Sequence, residues 1–155
     1  MIKAFKLSLF LLSASPVVVY AQQTSIYTHD LKEFEKAEAL YKDKQYQSAQ
    51  IIFDKVKAST NNNEVKADCA YYIANCAIRL NQFGADAMVE QFVEDYPTSP
   101  KQNQAYIEVA HYYFDQGNYP KSIEWFDKAS TSSMSQADLE RYNFQKGYAY
   151  FTIKN

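Results

Sequence analysis

Four small residues recur along this chain at a nearly constant step. Ala37, Ala74, Ala110 and Gly147 are separated by 37, 36 and 37 residues. A second mark keeps the same step: Tyr46, Phe83 and Tyr119 lie 37 and 36 residues apart. A period between 20 and 50 residues is the mark of stacked supersecondary units. The physical reason is packing. A small residue in one helix lets the next helix cross closely, and an aromatic at the start of that second helix covers the gap beside the turn. A helix pair alone cannot bury both of its faces, so each pair needs a neighbour.

The apolar pattern between these marks is helical throughout. Leu31, Phe34, Ala37, Leu40 and Tyr41 recur at three- and four-residue steps, the stripe of an amphipathic helix over 31–44. Asp30, with Glu33 three residues on, is expected to cap its start. Tyr46 to Val56 continues as a second helix, followed by the loop Ser59-Thr60-Asn61-Asn62-Asn63. Glu64 to Leu80 carries an apolar coat wider than one stripe, which predicts a helix packed between neighbours. Phe83 to Tyr96 forms the fourth helix, and Ser99-Pro100 is expected to cap and open the fifth, which runs to Phe114. Gln116-Gly117-Asn118 is a turn, Tyr119 to Ala129 is the sixth helix with Pro120 in its first turn, and Leu139 to Ile153 is the seventh, capped by Ser135 and Asp138. No segment alternates as a half-buried strand does. The expected fold class is all-α: seven helices with short loops, over one domain of 30–155.

Residues 1–21 have another character. Lys3 and Lys6 precede the apolar run Leu7 to Leu12, which Val17 to Tyr20 extends. Val19-Tyr20-Ala21 then presents a cleavage pattern that makes residues 1–21 a signal peptide and Gln22 the new N-terminus. The apolar stretch of 14 residues falls short of the ~20 that span a bilayer, so no transmembrane segment is expected after cleavage. Residues 22–29 are a polar lead-in. Loss of Lys3 and Lys6 leaves 14 basic against 18 acidic residues, a net charge of about −4. Charges of both signs are dispersed and no basic run occurs, which excludes the electrostatic footprint of a nucleic-acid binder.

Cys69 and Cys76, the two cysteines, invite a disulfide in an exported chain. Seven residues along one helix rise roughly 10 Å, and a disulfide needs Cα atoms within roughly 7 Å. They are expected to be buried apolar residues on one helix face. No catalytic constellation is legible. The two histidines, His29 and His111, are far apart in sequence, and there is no nucleophile elbow, phosphate loop or Cys–His arrangement. The chain is expected not to be an enzyme, and to use neither metal nor cofactor.

The third unit carries the clearest motif. Tyr106, Val109, Ala110, Tyr113, Gly117, Tyr119, Ser122, Phe126 and Ala129 resemble the tetratricopeptide repeat family. Ala37, Leu40, Tyr46, Ala49, Phe53 and Val56 match it in the first unit. The second unit departs, with extra residues between Phe83 and Phe92 that predict a longer second helix. The fourth retains Gly147 and Tyr150 of a first helix. The resemblance covers 30–155, and the junction over 92–100 is similar to envelope-type members. It implies a right-handed α-solenoid of about three and a half repeats, with the first helix of each pair lining a concave groove.

Carried onto this sequence, the groove positions are Phe34, Glu38 and Tyr41; Tyr71, Asn75 and Arg79; Ile107, His111 and Phe114; and Phe144, Tyr148 and Phe151. For Phe34, Phe114 and Phe151 a place in the core between repeats is an equal alternative. Rings with polar groups between them suit a peptide or partner protein. The family's carboxylate clamp needs Lys and Asn in the first unit, where this chain has Phe34 and Glu38. The implied function is an exported scaffold for protein–protein or peptide binding, in the periplasm or at the outer membrane. Alternatives are an accessory module of a larger envelope enzyme, transport or assembly complex, or a glycan-binding module. The last helix carries Tyr142, Phe144, Tyr148, Tyr150, Phe151 and Ile153, too many apolar residues for a solenoid cap, so further repeats C-terminal to Asn155 are expected.

Overall fold

The computed structural model describes the backbone of residues 17–154 and side chains from His29 onward. Most of the expected signal peptide, residues 1–16, lies outside the described residues. Among those residues every regular element is a helix: α1 (Val17–Lys42), α2 (Tyr46–Ser59), α3 (Asn63–Arg79), α4 (Ala85–Asp95), α5 (Gln102–Asp115), α6 (Tyr119–Lys128) and α7 (Gln136–Lys154). None of them is long and apolar enough to cross a membrane.

The same turn closes α1, α3 and α5. Lys44, Asn81 and Gly117 hold left-handed φ values of 61°, 50° and 73°. In each turn the next residue's N–H reaches back five residues: Gln45 to the Leu40 carbonyl (2.8 Å), Gln82 to Ala77 (3.0 Å) and Asn118 to Tyr113 (2.9 Å). This Schellman closure satisfies carbonyls that the helix end leaves open. The second helices then start in different ways. Asn118 caps α6 by accepting from the Lys121 N–H, with Pro120 in the first turn. In the second unit Gly84 adds another left-handed residue (φ 75°), and α4 begins only at Ala85.

That extra turn corrects two expectations. The residues added between Phe83 and Phe92 go into the turn, and α4 has 11 residues against 14 in α2. Phe83 precedes the helix and is fully exposed, so it plugs nothing. The expected start of α1 is also corrected. The helix runs through 22–29 and past Asp30, whose backbone neighbours already have helical partners, so Asp30 is not a cap. Its carboxylate is buried and accepts from the Ser59 hydroxyl at the end of α2 (2.8 Å). Lys101, not Ser99, precedes α5 as its cap residue, and Pro100 lies outside the helix. Asn62 caps α3 by accepting from Glu64 and Val65. Ser135 and Asp138 cap α7 as the sequence predicts, the Asp138 N–H donating to Ser135 Oγ at 3.2 Å.

Each helix packs on its successor, and α3 with α5 and α5 with α7 also touch directly. Two apolar clusters fill the interior, and α3 contributes to both. Cys69, Ile73 and Cys76 face Ala37, Ala49, Phe53 and Val56 of α1 and α2. Tyr71, Ala74, Ala77 and Ile78 belong to the cluster that runs through Val89, Phe92, Val109, Trp125 and Phe126 to Tyr142. A helix coated on both sides is buried on both sides, as its composition predicts. Both cysteines are fully buried and unbonded, and burial pushes each thiol up to about 12. The small residues act as expected at three of four positions: Ala37, Ala74 and Ala110 are buried. Ser122 of α6 comes so close to Ala110 that its hydroxyl donates to the Ala110 carbonyl at 2.9 Å. Gly147 is the exception. A Cβ built on it would meet nothing within 4 Å.

Candidate functional site

The odd-numbered helices exchange side-chain contacts with one another, and these form one continuous row. Tyr72 on α3 donates to Glu38 Oε1 on α1 at 2.7 Å. Arg79 Nε on α3 donates to Tyr41 Oη on α1 at 3.1 Å. Tyr41 in turn donates to Glu108 Oε2 on α5 at 3.4 Å, and Arg79 Nη2 lies 3.7 Å from the same oxygen. Lys101, before α5, pairs with Asp68 of α3 at 3.6 Å and sits over the rings of Tyr71 and Tyr72 at 5.3 and 5.2 Å. His111 on α5 contacts Gln145 Oε1 on α7 through Nδ1.

Rings supply the apolar half of the row. Tyr72 stacks on Phe53 (4.6 Å, 3° between planes) and meets Tyr41 edge-on at 5.1 Å. The Arg79 guanidinium lies over the rings of Tyr41 and Tyr46, at 5.7 and 5.6 Å. At the other end Phe114, Tyr119 and Tyr148 form a triangle of edge-on contacts at 5.6–5.8 Å. Between α5 and α7 a cleft of about 400 Å³ is lined by Gln104, Ile107, Glu108, His111, Met134 and Arg141, among others.

The electrostatics follow from this enclosure. Burial first, and then the Glu108 carboxylate, hold the Tyr41 phenol far above its ordinary value, so it stays a hydrogen-bond donor. Tyr72 is raised likewise, by burial and by its bond to Glu38. His111 is lowered, first by burial and then by the Arg141 cation. Its imidazole is therefore held toward the neutral form, with Nδ1–H donating to Gln145. The row thus offers rings, a guanidinium and carboxylates whose polar atoms are already oriented by their neighbours. Such an arrangement can hold extended chain or a partner's side chains at little ordering cost.

The structure brings together Glu38, Tyr41, Arg79, Ile107 and His111 of the groove residues read from sequence. Phe34 packs on Phe53 and Tyr72, which puts it with the core between α1 and α3, and Phe114 sits in the ring triangle. Tyr71 and Asn75 are each 2% exposed, because α3 is enclosed on both sides. The Asn75 amide donates to the carbonyl of Tyr71 in its own helix. These two cannot meet a partner directly. Phe144 and Tyr148 are exposed, Tyr148 beside Phe114, and Phe151 is exposed as well.

Several row residues escape the family positions. Tyr72, Glu108 and Gln145 lie one residue past Tyr71, Ile107 and Phe144, and they are register mates at intervals of 36 and 37. One residue is about 100° of helix rotation, so these three add a second line beside the expected one, and the row draws on both. The period itself could have identified them: three polar or amphipathic residues recur in register. Lys101 carries no such mark, since it acts from the loop before α5. Comparison with protein-family models, with curated proteins and with solved structures gives no match for this chain.

Proposed function

We propose that the chain is an exported, non-catalytic scaffold: a right-handed stack of about three and a half tetratricopeptide-type helix pairs, which binds a peptide or partner protein along α1, α3, α5 and α7. One observation carries this reading. The cross-helix contacts of Glu38–Tyr72, Tyr41–Arg79–Glu108 and His111–Gln145 all lie on the odd-numbered helices. The three like turns at Lys44, Asn81 and Gly117 support the repeat, since they recur at 37 and 36 residues. The N-terminal pattern of residues 1–21 supports export to the cell envelope.

The test is selection of binders from a displayed library of linear peptides, followed by affinity measurement on variants. Ile107→Asp and Arg141→Ala alter the cleft without touching the buried core. Each is expected to weaken the selected peptides about tenfold, roughly 1.4 kcal/mol, with the melting temperature unchanged. A library that yields no binders, or binders indifferent to both substitutions, would count against the proposal.

A further inference from the structure

The cleft of about 400 Å³ lies between α5, the α6–α7 loop and the first turns of α7. Three charged side chains line it: Glu108, Asp138 and Arg141. Both carboxylates are already engaged. Glu108 accepts from Gln104 at 2.9 Å and from Tyr41 at 3.4 Å, and Arg79 lies 3.7 Å from it. Asp138 accepts from the Ser135 hydroxyl at 2.6 Å. Arg141 is exposed and has no hydrogen bond or ion pair among the described residues. Asp138 stands three residues before it on α7, a spacing at which helix side chains can pair, but its carboxylate turns to Ser135 instead. An unpaired surface arginine is ordinary by itself. This one shares a cleft with two apolar side chains, Ile107 and Met134, and its charge acts on His111.

We infer that this cleft takes an acidic side chain of the bound partner: the Arg141 guanidinium receives an Asp or Glu carboxylate, and an apolar residue next to that acid lies against Ile107 and Met134. The chemistry of the guanidinium selects this ligand. Its planar fork matches a carboxylate through two parallel N–H bonds. With Arg79 counted, two cations stand against two carboxylates, so an incoming acid meets no net negative charge. The carboxylate belongs to a side chain and not to a chain end, because the row continues away from the cleft in two directions. It runs to Arg79 and Tyr41 in one and to Phe114 and Tyr148 in the other, so a bound chain crosses the cleft. The inference rests on the reading of the odd-numbered helices as the binding face. His111 supplies a readout that packing alone would not move. The charged groups that act on it are Arg141 of α7 and Asp115 and Glu108 of α5, and α6 presents the Phe126 ring to it. A carboxylate seated on Arg141 offsets the cation that disfavours the protonated imidazole.

Linear peptides selected on the purified chain from a displayed library, then synthesised with an amidated C-terminus, test it. The selected sequences should share one Asp or Glu beside an apolar residue. Replacing that acid in the peptide by its amide should weaken binding about tenfold on the parent chain and less than about twofold on Arg141→Gln, as one charge-assisted contact predicts. Arg141→Glu should instead prefer a peptide with Lys at that place. The His111 pKa, followed by NMR, should rise in the complex with the acidic peptide and stay unchanged with its amide counterpart. Peptides that lose affinity on Ile107→Asp but carry no acid, or whose acid is indifferent to Arg141→Gln, would overturn the inference and leave the binding face standing. A peptide that binds only with a free C-terminal carboxylate would overturn it in the same way. Peptides that ignore the cleft altogether, or a library without binders, would overturn both.

Discussion

His111 shows how one residue ties the candidate site to the stability of the fold. Its ring meets Phe126 edge-on at 5.4 Å and its Nδ1 meets Gln145, so it joins α5 to α7. Read from sequence, it is a groove residue; in the structure it also helps to dock the last helix. Burial and the nearby Arg141 lower its pKa from the ordinary 6.5. The unfolded chain therefore takes up a proton near pH 6.5 while the folded chain still resists it. Stability from this residue is fully present above about 6.5 and declines as pH falls from there toward the folded-state value. His111→Gln keeps a donor for Gln145 and removes the titration. Melting temperatures recorded from pH 7.5 to pH 5 should fall less in His111→Gln than in the parent chain. Parallel curves would remove His111 from the account.

At the scale of elements, the recurring unit is the turn as much as the helix pair. Gly117 is legible as a left-handed turn position because glycine advertises it. Lys44 and Asn81 adopt the same conformation without that advertisement, and Lys44 pays steric strain there that glycine would not. The period finds them where composition does not. Gly84 works in another way: its left-handed φ comes one residue after Phe83 and displaces the start of α4, so the aromatic in register with Tyr46 and Tyr119 ends up in solvent. The α3 helix was legible in its burial and not in its orientation. Its coat of Ala, Ile and Cys says that both sides are covered, and nothing in it says that Tyr72, and not Tyr71, bonds Glu38. Two substitutions test the turn account together. Gly117→Ala meets no side-chain obstacle, so its cost is backbone strain alone, about 1 kcal/mol. Lys44→Gly should relieve strain of similar size and raise the denaturation midpoint. Equal effects of the same sign would contradict the shared geometry.

The whole molecule divides its labour between two sets of contacts. Buried rings and small residues pack successive helices together, with Tyr71, Phe92, Trp125 and Phe126 among the largest side chains enclosed. Ion pairs outside the row reinforce that packing: Lys128 with Glu90 between α6 and α4, and Lys146 with Asp127 at 2.8 Å between α7 and α6. These exposed pairs contribute little each. The odd-numbered helices carry instead the row from Glu38 to Gln145, where polar atoms are oriented by neighbours and rings lie between them. That division is why this side is the proposed binding face. Hydrogen exchange, measured on the chain with and without a peptide selected for binding, tests the assignment most directly. Added protection should concentrate on α3, α5 and α7, around Arg79, Glu108 and His111, with α2, α4 and α6 unchanged. Protection confined to α2, α4 and α6 would contradict it.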